Sequence, residues 1–342
     1  MRIASLVPEG IVNAIYRSLI PMQALAHRGH TVHVEERNEL RDARPLLDFD
    51  VVHFVRFCHP PMERLARHLK ASGVPIVWDN DDNLLAAPRG NPNYRERRGL
   101  VGRDIARAMT TMMRLADVVT TPSAALAESY RDRSGCDARV LENCLPPTFQ
   151  PLGRRGDAAG VTVGWVAGAE HQRDAEQLRL RELLEALLAR HEHVAVTSVG
   201  VNLGLRSERY QHAANVPYGR LPQAIGTFDV AIAPLADIPF NRGRSNVKLK
   251  EYAAVGVPWL ASPIGPYAGM GEQQGGRLVA DNGWADALTA LATDRAARTQ
   301  LARRGLSWAR EQTIEHHVEG WERAFEDAIA HARERQPARA AR

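Results

Sequence analysis

Three cysteines in 342 residues, Cys58, Cys136 and Cys144, are odd in number and make no metal-ligand spacing. They exclude a disulfide framework and a cysteine-based zinc site, and they fit a reduced, cytoplasmic setting. No apolar run approaches the roughly 20 residues of a membrane span, which leaves only peripheral membrane contact open. The segment Met1 to Pro8 reads as a short strand rather than a signal peptide. Lys and Arg never cluster among interleaved aromatics, which weighs against a nucleic-acid partner. There is no Gly-x-Gly-x-x-Gly fingerprint, no Ser/His/Asp set and no Cys/His pair. Ordinary dinucleotide binding and triad-type nucleophilic catalysis therefore have no support.

Against these absences stand a hydrophobic content of 44% and a charged content of 25%, those of an ordinary globular protein. The formal net charge of +4 is spread along the chain, so it favours anionic ligands only weakly. The length suggests two domains. Strand-like and helix-like segments alternate from the start: a strand at Ile3 to Val7, a helix over Ile11 to His27, strands at Thr31 to Glu35 and Val51 to Val55, a helix over Pro61 to Ala71, a strand at Pro75 to Trp78, a helix over Gly102 to Ala116, and a strand at Val118 to Thr120. Such alternation predicts a parallel sheet covered by helices on both faces. Leu145-Pro146-Pro147 and Gly153-Arg154-Arg155-Gly156 then read as a linker. Alternation restarts with a strand at Val161 to Val166, a helix over Asp174 to Arg190, strands at Val194 to Val199 and Phe228 to Leu235, and further segments at Pro258 to Ser262 and Trp284 to Thr293. A last helical stretch from Ser307 to Ala330 carries Trp308, Ile314, Val318, Trp321, Phe325 and Ile329. Two tryptophans exceed what a solvated helix needs, so it is expected to cross back over the first domain. The expected fold class is α/β, with two Rossmann-like, doubly wound domains at 1–150 and 151–306 facing a cleft, a crossing helix at 307–332 and a basic tail at 333–342.

One stretch carries chemistry. Ser245 to Pro258 follows an apolar strand and reads as a helix capped by Ser245 and stopped by Gly256. Lys248 falls in its first turn, where the helix dipole disfavours a cation. A bound anion is one reason to tolerate it there. Glu251 lies three residues on and shares a face with Lys248. A cation at a helix start with an acid one turn further can hold a diphosphate and then a ribose. The plainer reading is a surface ion pair worth roughly 0.2–0.5 kcal/mol.

Two Rossmann-like halves, a Pro-Pro linker, a crossing C-terminal helix and the run Ser245 to Pro258 together resemble the GT-B glycosyltransferases, and within them the retaining family 4-like group. Pro234 to Arg242 and Val163 to Gly168 resemble one sub-branch. The resemblance spans nearly the whole chain and is more specific in the second half. It implies a metal-independent retaining transferase that uses a nucleotide sugar as co-substrate, needs no other cofactor and serves an acceptor the sequence does not name. Lys248 would contact the diphosphate, the Ser245–Asn246–Val247 turn would offer backbone N–H groups, and Glu251 would accept from the ribose hydroxyls. The group often carries two Glu residues eight positions apart, and Gly243 stands where the first would fall. Asp237, Asn241 and Arg244 are candidate substitutes. The departure motivates the alternative of a catalytically silent, GT-B-shaped nucleotide- or sugar-binding protein.

Other candidates lie at strand ends. Asp79-Asn80-Asp81-Asp82 follows a strand in the first half. Asp79-x-Asp81 formally matches the metal-binding acid pair of GT-A enzymes. Contact of Asp81 with sugar hydroxyls, or plain helix capping, are the other readings, and no metal is expected. Gly10 in the first βα turn would let a ligand approach the backbone. His59, past the end of its strand, is a candidate for contact with the transferred sugar, whereas His53 reads as a core histidine. Gly168, His171 and Arg173, with Glu170 between them, form the matching loop of the second half and face the cleft mouth on the donor side. His316-His317 reads as a solvated face, since adjacent helical residues point apart.

Overall fold

The computed structural model describes residues 1–10, 13–38, 40, 42–89, 91, 102–151 and 160–335. The expected Gly153–Gly156 linker and most of the basic tail fall outside the described residues. The first domain is a six-stranded parallel sheet of β1 (Arg2–Val7), β2 (Thr31–Glu36), β3 (Val51–Val55), β4 (Ile76–Asp79), β5 (Val118–Thr121) and β6 (Ala138–Val140). Its order is β2-β1-β3-β4-β5-β6. The second is built the same way from β7 (Val161–Ala167), β8 (Val194–Gly200), β9 (Tyr210–Ala213), β10 (Val230–Ala233), β11 (Trp259–Ala261) and β12 (Gly276–Leu278), in the order β12-β11-β10-β7-β8-β9. Strands buried on both faces read as continuous apolar runs, as in Val230–Ala233; Val51–Val55 is also wholly buried and departs from such a run only at His53, which lies 3.0 Å from Ser5 Oγ. In each sheet the connections reverse direction once, between β1 and β3 and between β7 and β10. Ligands of doubly wound sheets sit outside the strand ends at that point.

The longer helices are α1 (Ile20–His27), α2 (Pro60–Ala71), α3 (Gly102–Leu115), α4 (Ala124–Ser134), α5 (Gln172–Gln177), α6 (Leu180–Arg190), α7 (Val247–Ala254), α8 (Trp284–Thr293), α9 (Arg295–Arg310) and α10 (Val318–Glu334). Local chemistry explains their ends. Ser123 Oγ accepts the Leu126 N–H at the start of α4, and Gly135, at φ 69°, stops it.

Three segmental expectations need correction. The helix holding Lys248 begins at Val247, with Asn246 at the cap position and no side-chain cap bond. Ser245 does not cap it; its hydroxyl accepts instead from Asn143 Nδ2 at 3.2 Å. The helix expected over Asp174 to Arg190 is two, because Arg179 adopts a left-handed conformation at φ 49° and breaks the run between α5 and α6. The single crossing helix expected over 307–332 is also two. α9 ends at Arg310, the chain crosses over residues 311–317, and α10 follows.

That crossing lies beside the interdomain linker: the Leu145 N–H donates to the Gln312 carbonyl at 2.9 Å, and Leu145 bridges Thr313. α10 then buries Trp321, Ala324, Phe325 and Ala328 with Ile3, Val51, Val77 and Val118 of the first sheet. Arg17 lies 4.9 Å from the Trp321 ring centre and forms a fully buried ion pair with Asp79 at 2.7 Å. The C-terminal helix thus completes the core of the first domain and ties the two domains together.

Candidate functional site

The loops after β7 and β10 meet at the reversal point of the second sheet, and α7 starts directly above them. His171, from the first loop, is 2% exposed. Its Nε2 lies 2.8 Å from Arg244 Nη1 and 3.0 Å from Lys248 Nζ. Arginine and lysine side chains only donate, so Nε2 must carry a lone pair and the ring proton sits on Nδ1. Nδ1–H then donates to Asp174 Oδ2 at 2.7 Å. The other oxygen of Asp174 accepts the Ala236 N–H at 2.9 Å and Asn241 Nδ2 at 2.7 Å, so the post-β10 loop fixes the carboxylate. Burial, and then the charges of Lys248 and Arg244, hold the His171 pKa well below its ordinary value. The imidazole is neutral.

Two cations converging on one nitrogen stand within about 6 Å of each other, which at an effective dielectric near 20 costs about 3 kcal/mol of repulsion. Burial, and then the charge of Arg244, pull the Lys248 pKa from 10.5 to about 8. Burial opposes the charge of Arg244 too, but Glu170 and then Asp82 hold its guanidinium above its usual value. Glu170 Oε1 is 3.3 Å from Arg244 Nη2. The result is a half-buried spot at a helix start where two cations share one neutral acceptor, with Glu170 beside Arg244, and it suits a multiply charged anion.

One turn further along α7, Glu251 is 6% exposed and accepts a hydrogen bond from the Tyr16 hydroxyl of the first domain. Burial pushes its carboxyl up to about 7, and the Tyr16 hydroxyl and the Lys248 charge offset this only in part. Tyr16 packs edge-on against Tyr218, with ring centres 5.6 Å apart.

The first domain forms the facing wall. Asp81 and Asp82, past the end of β4, lie 3.5 and 3.4 Å from the guanidinium of Arg56, which itself sits at φ 58°. Burial raises Asp81 to about 6, with Arg56 acting the other way. Asp79 is not part of this wall. Arg17 and Thr120 hold it inside the sheet, which removes it from the Asp79-x-Asp81 pattern. Among the described residues no group of three or more His, Cys, Asp and Glu side chains is placed to hold a metal ion.

The segment Pro239–Gly243 is docked on the first domain. The Gly243 carbonyl accepts from Ser123 Oγ at 2.9 Å, and the Pro239 carbonyl from Asn83 Nδ2 at 3.3 Å. A Cβ on Gly243 would stand 3.1 Å from Asn83 Cβ and 3.6 Å from Leu126 Cδ1, so a longer side chain meets the other domain at once.

Lys248, Glu251, His171 and Gly168 are therefore gathered at one place; Gly168 supplies the carbonyl that receives the His171 N–H at 3.0 Å. Ser245 and Asn246 are tied to the linker, Asn246 through Glu142 at 3.2 Å, and Val247 opens α7. Asp81 lies in the first domain beside Arg56, and its neighbour Asp82 supports the charge of Arg244. Arg173 is exposed on α5, outside the His171 cluster. His59 Nε2 lies 2.9 Å from the Asn38 carbonyl, and its ring stands edge-on to Phe57. Gly10, at φ 71°, donates its N–H to Glu36 at 2.7 Å and leaves open space at its α-carbon. Among the other candidate substitutes for an acid at 243, Asp237 pairs with Arg242 at 2.8 Å, and Asn241 holds Asp174. Sequence reasoning missed Tyr16, Arg56 and the positioning role of Asp174. Only Asp174, three residues after His171, left a local signal.

A family model described as glycosyl transferase-like matches residues 173–323. No curated protein sequence matches the chain. Solved structures with the same fold include sucrose-phosphate synthase from Thermosynechococcus elongatus, 14% identical, with a TM-score of 0.67 over 96% of this chain and 100% of that one. HepE from Anabaena in complex with UDP is also 14% identical, with a TM-score of 0.68 over 95% of this chain and 100% of that one. The UDP-forming trehalose-phosphate synthase from Burkholderia xenovorans is 15% identical, with a TM-score of 0.57 over 84% and 76% of the two chains. With two six-stranded parallel sheets and a last helix returning to the first domain, the chain has the GT-B fold of these structures, and residues 173–323 are similar to a glycosyl transferase-like domain.

Proposed function

We propose that the protein transfers a glycosyl group from a nucleoside diphosphate sugar to an acceptor, with retention of configuration and without a metal cofactor. The observation that carries this reading is the convergence of Lys248 and Arg244 on His171 at the start of α7, with Glu251 one turn on. In this reading the two cations take the diphosphate and Glu251 takes the ribose hydroxyls. HepE, in complex with UDP and with UDP-glucose, makes uridine the first base to try.

Departure of the nucleoside diphosphate is the hard step. Lys248 and Arg244 lie where negative charge would grow on the leaving phosphate, and fixed donors in a water-poor cleft stabilise such charge strongly. The acceptor would enter from the first domain past Asp81 and Asp82, attack the anomeric carbon from the face the phosphate leaves, and pass its proton to a phosphate oxygen. Interdomain contacts at Ser123–Gly243 and Tyr16–Glu251 keep water from competing. In this reading His59, Gly10 and Arg173 would act on parts of the substrate beyond the diphosphate. A cytoplasmic setting suits a nucleotide sugar.

A second reading is a catalytically silent binding protein, favoured by the packing of Gly243 against Asn83. A thermal-shift panel of nucleoside diphosphates and sugar nucleotides, followed by donor-consumption assays, tests both. A shift with nucleoside diphosphates and donor consumption supports transfer. A shift with no consumption under any acceptor supports silent binding. No shift with any nucleotide overturns both.

A further inference from the structure

We infer that Asp174 and His171 form a tautomer lock that positions Lys248 and Arg244 for a diphosphate, so that Asp174 acts on the ligand without touching it. The inference rests on the phosphate-site reading above. Each link follows from hydrogen-bond valence. Asp174 Oδ1 already takes two donors, the Ala236 N–H at 2.9 Å and Asn241 Nδ2 at 2.7 Å. That leaves Oδ2 to face His171 Nδ1 at 2.7 Å and holds the proton on that nitrogen. The bare Nε2 then accepts both cations. A neutral acceptor between two positive groups keeps them together without itself cancelling either charge; Glu170 pairs with Arg244 from the side, 3.3 Å away.

The consequence is specific. In Asp174→Asn the oxygen must stay with its two donors, because Ala236 N–H and Asn241 Nδ2 cannot accept. The new amide N–H₂ therefore faces His171 Nδ1 and forces it to accept. The ring proton moves to Nε2 and points at two cations, which must splay apart. The change removes one negative charge near Lys248 and Arg244, which by itself favours an anion, and leaves the Ala236 and Asn241 bonds intact, so a loss of anion affinity reports the tautomer. Asp174 is thus a positioning residue whose effect travels through one imidazole.

The test has two arms. Imidazole nitrogen chemical shifts of His171 in the full-length protein should report a protonated Nδ1 and a bare Nε2, and the reverse in Asp174→Asn. By calorimetry, Asp174→Asn should weaken UDP binding by about tenfold or more, the worth of a charge-assisted hydrogen bond, and leave uridine binding unchanged. In the His171→Phe background the same substitution should not weaken UDP binding, because the relay is already gone and only the loss of a negative charge remains. Equal losses in both backgrounds, or equal losses for UDP and uridine, would show that Asp174 acts only as a scaffold for the post-β10 loop. A protonated Nε2 in the native protein overturns the lock even if no variant folds. Should Lys248→Ala leave UDP affinity intact, the phosphate site itself fails, an outcome distinct from failure of the lock.

Discussion

Glu251→Gln separates the energetic cost of the site from its use. Glu251 is buried, and its carboxyl is pushed up from 4.5 to about 7. Two and a half units at about 1.36 kcal/mol each give about 3 kcal/mol. A carboxyl whose folded pKa is raised binds its proton more tightly in the folded state. Its contribution is therefore fully present below about pH 4.5, falls as pH rises through 7, and levels off above. Glutamine cannot ionise, and its carbonyl can still accept the Tyr16 hydroxyl. Wild type and variant should melt at similar temperatures near pH 5. The variant should gain up to about 3 kcal/mol by pH 8, or about 4 °C in Tm for a chain of this size. Thermal melts across this range at constant ionic strength make the measurement. In the same variant, calorimetry with UDP and its 2′-deoxy and 3′-deoxy analogues should show discrimination between ribose and deoxyribose lost. A difference in Tm that does not change with pH would refute the reasoning. So would a variant that is no more stable at pH 8.

The remaining predictions concern charge and packing. Lys248 has its pKa lowered to about 8, and a bound diphosphate should raise it again. UDP affinity should therefore be flat in this term below about pH 8 and fall as pH rises above it. Calorimetry near pH 8.5 in buffers of different ionisation enthalpy should show proton uptake on binding; none would contradict the assignment. Gly243→Ala places a Cβ 3.1 Å from Asn83 Cβ and should lower stability by about 1–3 kcal/mol, seen in denaturant unfolding. Asn83→Gly in the same chain removes the clash but also the Asn83–Pro239 bond, so it should restore only part of that loss.

The fold was legible because parallel strands and their covering helices leave strong patterns. Val230–Ala233 is apolar on both faces, Val51–Val55 is so except at His53, and α8 spans the expected residues. Breaks without punctuation were not legible. Arg179 interrupts α5–α6 through a left-handed backbone that no Gly or Pro announces. The crossing at 311–317 hides inside a run whose apolar spacing reads as one helix. The strands β6, β9 and β12 are three or four residues long, too short for periodicity to register. Within the site, Lys248 and Glu251 stood out because their conflict with the helix dipole and their shared face are local facts. The meeting of His171 with Arg244 and Lys248 spans more than seventy residues of sequence, and Tyr16 reaches Glu251 from the other domain. No local pattern encodes either contact.

The central claim is that the start of α7 is a diphosphate site, and calorimetry of UDP and uridine against the native protein and Lys248→Ala tests it most directly. The account predicts that Lys248→Ala weakens UDP binding by tenfold or more, the worth of a charge-assisted contact of about 1.5 kcal/mol or greater, and leaves uridine binding unchanged. Equal UDP affinity in the two proteins would contradict it.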